Sequence, residues 1–255
     1  GEQIELHAEP EPVTSIEPEN IPLTIIYEDD ALLIIDKPAG LVVHPGAGNW
    51  GGTLQNALLS HCPALATVPR CGIVHRIDKE TSGLLMAAKT VESHKSLVDQ
   101  LQERTVDRDY LALVQGAMTG GGTVDEPIGR HASDRKRFAV VRSGGKHAVT
   151  HYRLAERFTH HTLIHAKLET GRTHQIRVHM AHINYPLVGD PVYGGRARVP
   201  ARASTRLLET LGSFKRQALH AASLGIVHPD TDEYMLWEAR LPSDFENLLQ
   251  TLRQG

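Results

Sequence analysis

The stretch "GIVHRIDKETSGLLM", Gly72 to Met86, sets Arg76 and Asp78 on either side of one isoleucine, between two apolar runs. If the segment is extended, residues two apart point the same way, so guanidinium and carboxylate share a face. A nearby guanidinium favours the ionised form of a carboxylate. An ionised aspartate is a poor acid, but it can serve as nucleophile, as base or as stabiliser of a developing cation, the roles a carboxylate plays beside an oxocarbenium-like sugar. A structural ion pair is the bland alternative, and the triplet alone does not decide. A second cluster, "HQIRVHMAH", brings His174, His179 and His182 close in sequence. Spacings of five and three do not align all three on one helical face. No Glu interrupts them as in His-Glu-x-x-His, and no cysteine lies nearby, so the pattern argues against a metal site.

The elements that must position these groups can be read coarsely. "LTIIYEDDALLIIDKPAGLVVHP" gives two apolar strands around an Asp-Asp turn, a hairpin, followed by a Lys-Pro-Ala-Gly loop. Thr90 is placed to N-cap a helix over "VESHKSLVDQLQER", where Leu97 and Leu101 with Val98 form an apolar stripe. "TVDRDYLALVQG" reads as a strand, in which Tyr110 taken alone is an ordinary core aromatic. "HTLIHAKLETGRTHQIRVHMAH" reads as a strand that turns at Thr170-Gly171 and restarts as a helix capped by Thr173, with His174, Arg177 and Ala181 on one face and Ile176 and Met180 on another. Short strands, Gly/Pro-rich loops and a few helices, without repeats, predict an α+β fold.

At 255 residues the chain can bury a full core, and 40% apolar with 22% charged residues is ordinary for a globular protein. No segment approaches the roughly 18 apolar residues of a membrane helix. Cys62 and Cys71 are too few for a disulfide framework, which points to a reducing cytoplasm. The net charge of -3 hides segregation: residues 1–30 hold nine acids and no Lys or Arg, leaving 27 basic against 21 acidic residues downstream. The surplus peaks over 130–153, where Arg130, Arg135, Lys136, Arg137, Arg142, Lys146 and Arg153 face one acid, Asp134. Such a run is either a solvated loop or a phosphate-facing arm. Trp50, in "HPGAGNWGG", is placed either to stack on a base or to pack against its own loop.

"HRIDKETSG" resembles the His-Arg-Leu-Asp-x-x-Thr-Ser-Gly signature of the RluA-type pseudouridine synthases, with Ile77 in place of the usual Leu. "DRDYLALVQG", "LETGRTHQIRVHMAHINYPLVGDPVYGG" and "RQALHAASLGIVHP" resemble further blocks of the family, in family order over most of 21–242. "LVVHPGAGN", "GGTVDEPIGRH" and "AVTHYR" are similar to the branch acting on large-subunit ribosomal RNA. The resemblance implies one mixed, largely antiparallel sheet in two lobes around a basic cleft, formed by residues 21–255. It leaves 1–20 as an acidic, Pro-rich linker in which "EQIELHAEP" is the candidate last strand of an upstream RNA-binding domain.

It further implies isomerisation of uridine, without cofactor or metal. Asp78 is catalytic, Arg177 pairs with it, and Tyr110 stacks on the uracil or assists proton loss from carbon 5. Arg76 and His75 meet the RNA where the target nucleotide is extruded, and Arg130, Arg135, Lys136, Arg137 and Arg172 bind along its path. The implied partner is large-subunit ribosomal RNA or a pre-ribosomal particle in the cytoplasm, met by a monomer that touches no membrane. Two other readings compete: a metal-dependent hydrolase and an RNA-binding module without chemistry. A binding module has no use for an ionised carboxylate in its cleft, where it repels phosphate.

Overall fold

A computed structural model describes residues 16–46, 48–134, 137–195 and 203–254. The strand expected within "EQIELHAEP", and Arg135 and Lys136 of the basic run, lie outside the described residues. The expected hairpin forms from β1 (Thr24–Glu28) and β2 (Leu32–Lys37), closed by the Asp29 carboxylate, which accepts the amides of Ala31 and Leu32. Helix α1 (Leu54–His61) follows, and residues 17–19, expected to be linker, are already tied to its start: the Asn56 amide donates to the Glu17 carbonyl at 2.8 Å. Next come β3 (Ser82–Ala88) and α2 (Val91–Glu103), the latter capped by Thr90 as expected, its hydroxyl accepting the Ser93 amide.

The remaining strands are β4 (Asp107–Gln115), β5 (Gly122–Asp125), β6 (Ile128–Arg130), β7 (Phe138–Val140), β8 (Val149–Arg157), β9 (His161–Leu168), β10 (Leu219–Val227) and β11 (Tyr234–Glu238). The remaining helices are α3 (Gln175–His182), α4 (Thr205–Ser213) and α5 (Ser243–Gln254). Nine strands make one mixed sheet in the order β1-β2-β3-β10-β4-β9-β8-β5, with β11 beside the far half of β10, while β6 and β7 form a separate hairpin. Only the β3–β10 pairing is parallel, so the sheet is the largely antiparallel one expected.

The central strands are buried on both faces, which is why they read as continuous apolar runs instead of alternating ones. Leu33 and Ile35 of β2, Leu85 and Ala87 of β3, and Tyr110 and Ala112 of β4 face one core, which α1 and Ile176 and Met180 of α3 complete. Leu32, Ile34, Leu84 and Met86 face the other side against Leu97 of α2. Toward β4 and β9 that side is covered by Phe245, Leu248 and Leu249 of α5. The catalytic candidates sit at the edge of the first core.

Candidate active site

Asp78 ends an extended segment that enters β3. Ile77 is buried in the core, and Arg76, Ile77 and Asp78 together line a small pocket. The turn beyond is tightly held. The Thr81 amide donates to the Asp78 carbonyl at 3.0 Å, and Gln217 reaches the Thr81 hydroxyl at 3.1 Å. Gly83, at φ 108, lies against the Ala221 backbone where β3 meets β10, a place with no room for a Cβ.

From beneath, the wholly buried Lys37 ammonium donates to the carbonyls of Pro38, Leu41 and Lys79 at 2.8, 2.9 and 3.0 Å. Burial pushes the Lys37 amine down to about 8, against the pull of Glu80 and Asp78. Three carbonyls thus hold all three protons of one cation, and the Asp78 loop is fastened to the end of β2.

Arg177, in the first turn of α3, is the group that meets Asp78. Its Nη1 donates to Asp78 Oδ2 at 2.9 Å, while Nε and Nη2 clamp Asp190 at 2.7 and 2.9 Å. The Asp190 side chain is fully buried and also accepts the amides of Val192 and Tyr193. Burial alone lowers the arginine's affinity for its proton, but the bonds and charge of Asp190, then Asp78, raise it above the ordinary value. For Asp190, burial raises the pKa, and the Arg177 bonds and charge more than reverse this. Arg177 is therefore fixed by Asp190 and presents its remaining edge to Asp78. Asp190 was not anticipated from sequence; its only signal there was the turn-like "GDPVYGG".

Helix α3 begins one residue later than expected. His174, not Thr173, is the cap, in a left-handed conformation with φ 58 and no side-chain capping bond. Gln175 ties the start of the helix back to the preceding turn, its Oε1 accepting the Arg172 amide at 3.0 Å and the Thr170 hydroxyl at 2.7 Å. His174 is drawn toward Tyr193, whose hydroxyl meets Nδ1 at 2.9 Å, and its Nε2 stands 3.9 Å from Asp78 Oδ1. Burial pushes the His174 imidazole below its ordinary pKa despite the Asp78 carboxylate. Of the other two histidines in the cluster, His179 is buried between the Thr150 hydroxyl and the Glu126 carbonyl. Among the described residues no group of three or more His, Cys, Asp or Glu is arranged to hold a metal ion.

Tyr110 forms one wall of the Asp78 pocket, together with Leu168, Leu219 and Ile176. Burial raises its phenol pKa, and the Asp78 charge adds to this while Arg108 opposes it. The pocket opens onto a cleft of about 940 Å³ lined by Arg70, Arg76, Arg104, Arg108 and Arg172 against a single carboxylate, Glu169. Pocket and cleft meet at Arg76, Arg108, Gly171 and Arg172. His75 also lines the cleft, but its Nε2 accepts the Met86 amide at 3.1 Å, and burial, with the Arg108 charge, pushes it down to about 3. It carries no charge at neutral pH.

The basic hairpin reaches the site through aromatic rings: Arg130 lies 4.6 Å over Phe138, and Arg137 5.5 Å and Arg177 5.0 Å from the centre of the Tyr193 ring. Trp50 is 70% exposed, so it does not pack into its own loop. A carboxylate and an aromatic wall at the end of an arginine-lined cleft suit chemistry on a nucleotide within a polyanion.

Comparison with known proteins agrees. The family model for RNA pseudouridylate synthase matches residues 31–182. The chain belongs to this family. It is 59% identical over 254 residues to the ribosomal large subunit pseudouridine synthase D of Pseudomonas aeruginosa, covering 100% of the chain and 79% of that protein. To the Escherichia coli K12 protein of the same name it is 55% identical over 253 residues, covering 99% of the chain and 77% of that protein. Among solved structures, human RNA pseudouridylate synthase domain containing 4 superposes with a TM-score of 0.70 at 26% identity, covering 90% of this chain and 93% of its own. The pseudouridine synthase thus has the fold its sequence blocks implied, and it is an enzyme, not a binding module.

Proposed function

We propose that this pseudouridine synthase isomerises uridines in large-subunit ribosomal RNA, with the Asp78 carboxylate acting on the ribose of an extruded nucleotide. The observation that carries the site is the Asp78–Arg177–Asp190 chain at the floor of a pocket that opens into the arginine cleft. The uracil leaves carbon 1 of the ribose at nitrogen 1, turns within the pocket, and is rejoined through carbon 5, whose hydrogen departs as a proton. Asp78 either attacks the sugar or removes a ribose proton to give a glycal; both routes need a basic carboxylate at this point. Arg177 holds that carboxylate in place. With its phenol pKa raised by burial, Tyr110 stays neutral and serves as a stacking wall for the rotating base.

Chemistry on a stacked base requires extrusion, which costs a few kcal/mol and less in a loop than in a duplex. Arg76, exposed at the mouth shared by pocket and cleft, is placed to fill the gap left in the stack. Arg172 at the mouth, with Arg130 and Arg137, continues the path for the RNA backbone, and His75 is a neutral part of the wall. We take the monomer as the active unit, its catalytic domain spanning 21–255. We place it in the cytoplasm with ribosomal RNA or pre-ribosomal particles; among the described residues no helix is long and apolar enough to cross a membrane. The target class is tested by mapping pseudouridines in ribosomal RNA from cells with and without the protein. Loss of sites confined to the large-subunit RNA is expected; an unchanged large-subunit map contradicts the proposal.

A further inference from the structure

Three arginines in the described structure are nine-tenths or more buried: Arg108, Arg177 and Arg216. Two of them hold a carboxylate with both arms of the guanidinium, Arg177 on Asp190 and Arg216 on Asp244 at 2.7 and 2.8 Å. Arg108 is different. Its Nη2 makes one long bond, 3.3 Å, to the Glu169 carbonyl, and its buried Nε has no partner. The nearby carboxylates are engaged elsewhere: Glu169 with His151 and Arg104, Asp109 with His165, Asp78 with Arg177. Burying a guanidinium without a counter-charge is costly, and burial pushes the Arg108 pKa down. A cation left in that condition at a functional cleft is a site waiting for an anion.

Its position says which anion. Arg108 lies two residues before Tyr110 on β4, so both side chains leave the same face of the strand, about 7 Å apart along it. Tyr110 walls the Asp78 pocket, whereas Arg108 lines both the pocket and the cleft. Above the guanidinium is Gly171, where a Cβ would come within 2.8 Å of Nη1, so the approach from the cleft is not covered by a side chain. A nucleotide with its base against Tyr110 has its sugar at Asp78 and its backbone phosphate a few ångströms further on, toward the cleft. A guanidinium edge matches a phosphate with paired bonds better than any other side chain does.

We propose that Arg108 is the receptor for the backbone phosphate flanking the extruded uridine. It fixes the register of the nucleotide so that the ribose stops at Asp78. This rests on the reading of Asp78 and Tyr110 given above, and the test keeps the two apart by measuring binding only. The probe is the stem-loop oligonucleotide that carries a mapped target uridine, unmodified or with one neutral methylphosphonate linkage placed in turn along its length. Binding is measured in an Asp78→Asn background, so no turnover intervenes. The catalytic reading is judged separately, by product formation in the enzyme with Asp78 present.

Arg108→Met keeps the bulk of the side chain and removes the uncompensated charge, so thermal stability should hold or rise. Affinity for the unmodified RNA should fall about 10- to 100-fold, the size of a charge-assisted bond, and the log-log salt slope should shrink by about one. The decisive readout is coupling. A methylphosphonate on a linkage adjoining the target uridine should weaken binding to the Arg108 protein by a similar factor, yet cost the Met variant nothing more. Arg108→Lys should recover part of the affinity and keep the slope. Equal methylphosphonate losses in both proteins, coupling at a remote linkage only, or a Met variant that is destabilised but binds RNA with unchanged affinity and slope would each overturn the proposal.

Discussion

Asp190→Asn separates the anchor from the group that meets Asp78. The Asp190 side chain is fully buried and its Arg177 partner is 5% exposed, so water cannot replace what is lost. Oδ1 of Asp190 accepts Arg177 Nη2 and the amides of Val192 and Tyr193, an arrangement an asparagine carbonyl can keep. Its NH₂ must then occupy the place of Oδ2, where Arg177 Nε now donates at 2.7 Å, and two donors face each other. Removing one partner of a buried ion pair costs about 3–5 kcal/mol. Because Arg177 retains Asp78 as a counter-charge, the lower end applies, about 3 kcal/mol, or a fall of about 6–12 °C in Tm for a chain of this size. An Arg177 released from its anchor no longer holds the Asp78 carboxylate in place, and misplacement of a reacting group by about 1 Å costs about 10²-fold in turnover. Thermal unfolding and pseudouridine formation, measured on the same preparation, check both numbers. An Asn variant within about 2 °C of the parent and with normal turnover would refute the claim that Asp190 fixes Arg177.

Acid should weaken the fold through His75, whose folded pKa of about 3 lies below its ordinary 6.5. Its stabilising contribution is complete above pH 6.5 and is lost as pH falls toward 3, because the unfolded chain binds the proton first. His75→Gln, which can still accept the Met86 amide, should remove up to about 1.4 kcal/mol per pH unit from the slope of stability between pH 6.5 and 4, read by denaturant midpoints; identical slopes contradict the assignment. Neutralising Arg135, Lys136 and Arg137 together should weaken RNA binding and lower the log-log salt slope by about 2, since fewer counterions are released. Unchanged affinity and slope return the basic run to an ordinary solvated segment.

The parts of the molecule legible from sequence were those whose signal is local. Alternating and continuous apolar runs disclosed the β1–β2 hairpin and β4, and a threonine before an apolar stripe disclosed α2. Asp78, Tyr110 and Arg177 stood out because their blocks are distinctive, and the fold brings all three to one pocket. Asp190 was hidden because an aspartate between Gly and Pro reads as turn chemistry, which it also performs through the Val192 and Tyr193 amides. Arg108 was hidden for a different reason. The two-residue spacing puts it on the face of Tyr110, but a charged residue in a strand is normally placed on the wet face, and only its burial in the structure shows that this face is closed around it. The His174 cap was misplaced by one residue because N-cap preferences favour a side chain that accepts a first-turn amide, whereas His174 caps with none and sits at a left-handed φ of 58.

The measurement that bears most directly on the account is tritium release from RNA whose target uridine is labelled at carbon 5, catalysed by Asp78→Asn. Joining carbon 5 to the ribose expels that hydrogen, so label enters water once per product formed. Asparagine preserves size and most hydrogen bonding, including an oxygen for Arg177 Nη1, but can neither attack the sugar nor take its proton. The account predicts a folded protein that binds RNA as well as the parent or better, since one negative charge has left the cleft, and releases label at least about 10²- to 10⁴-fold more slowly. A folded Asp78→Asn protein that releases tritium at the parental rate would contradict it.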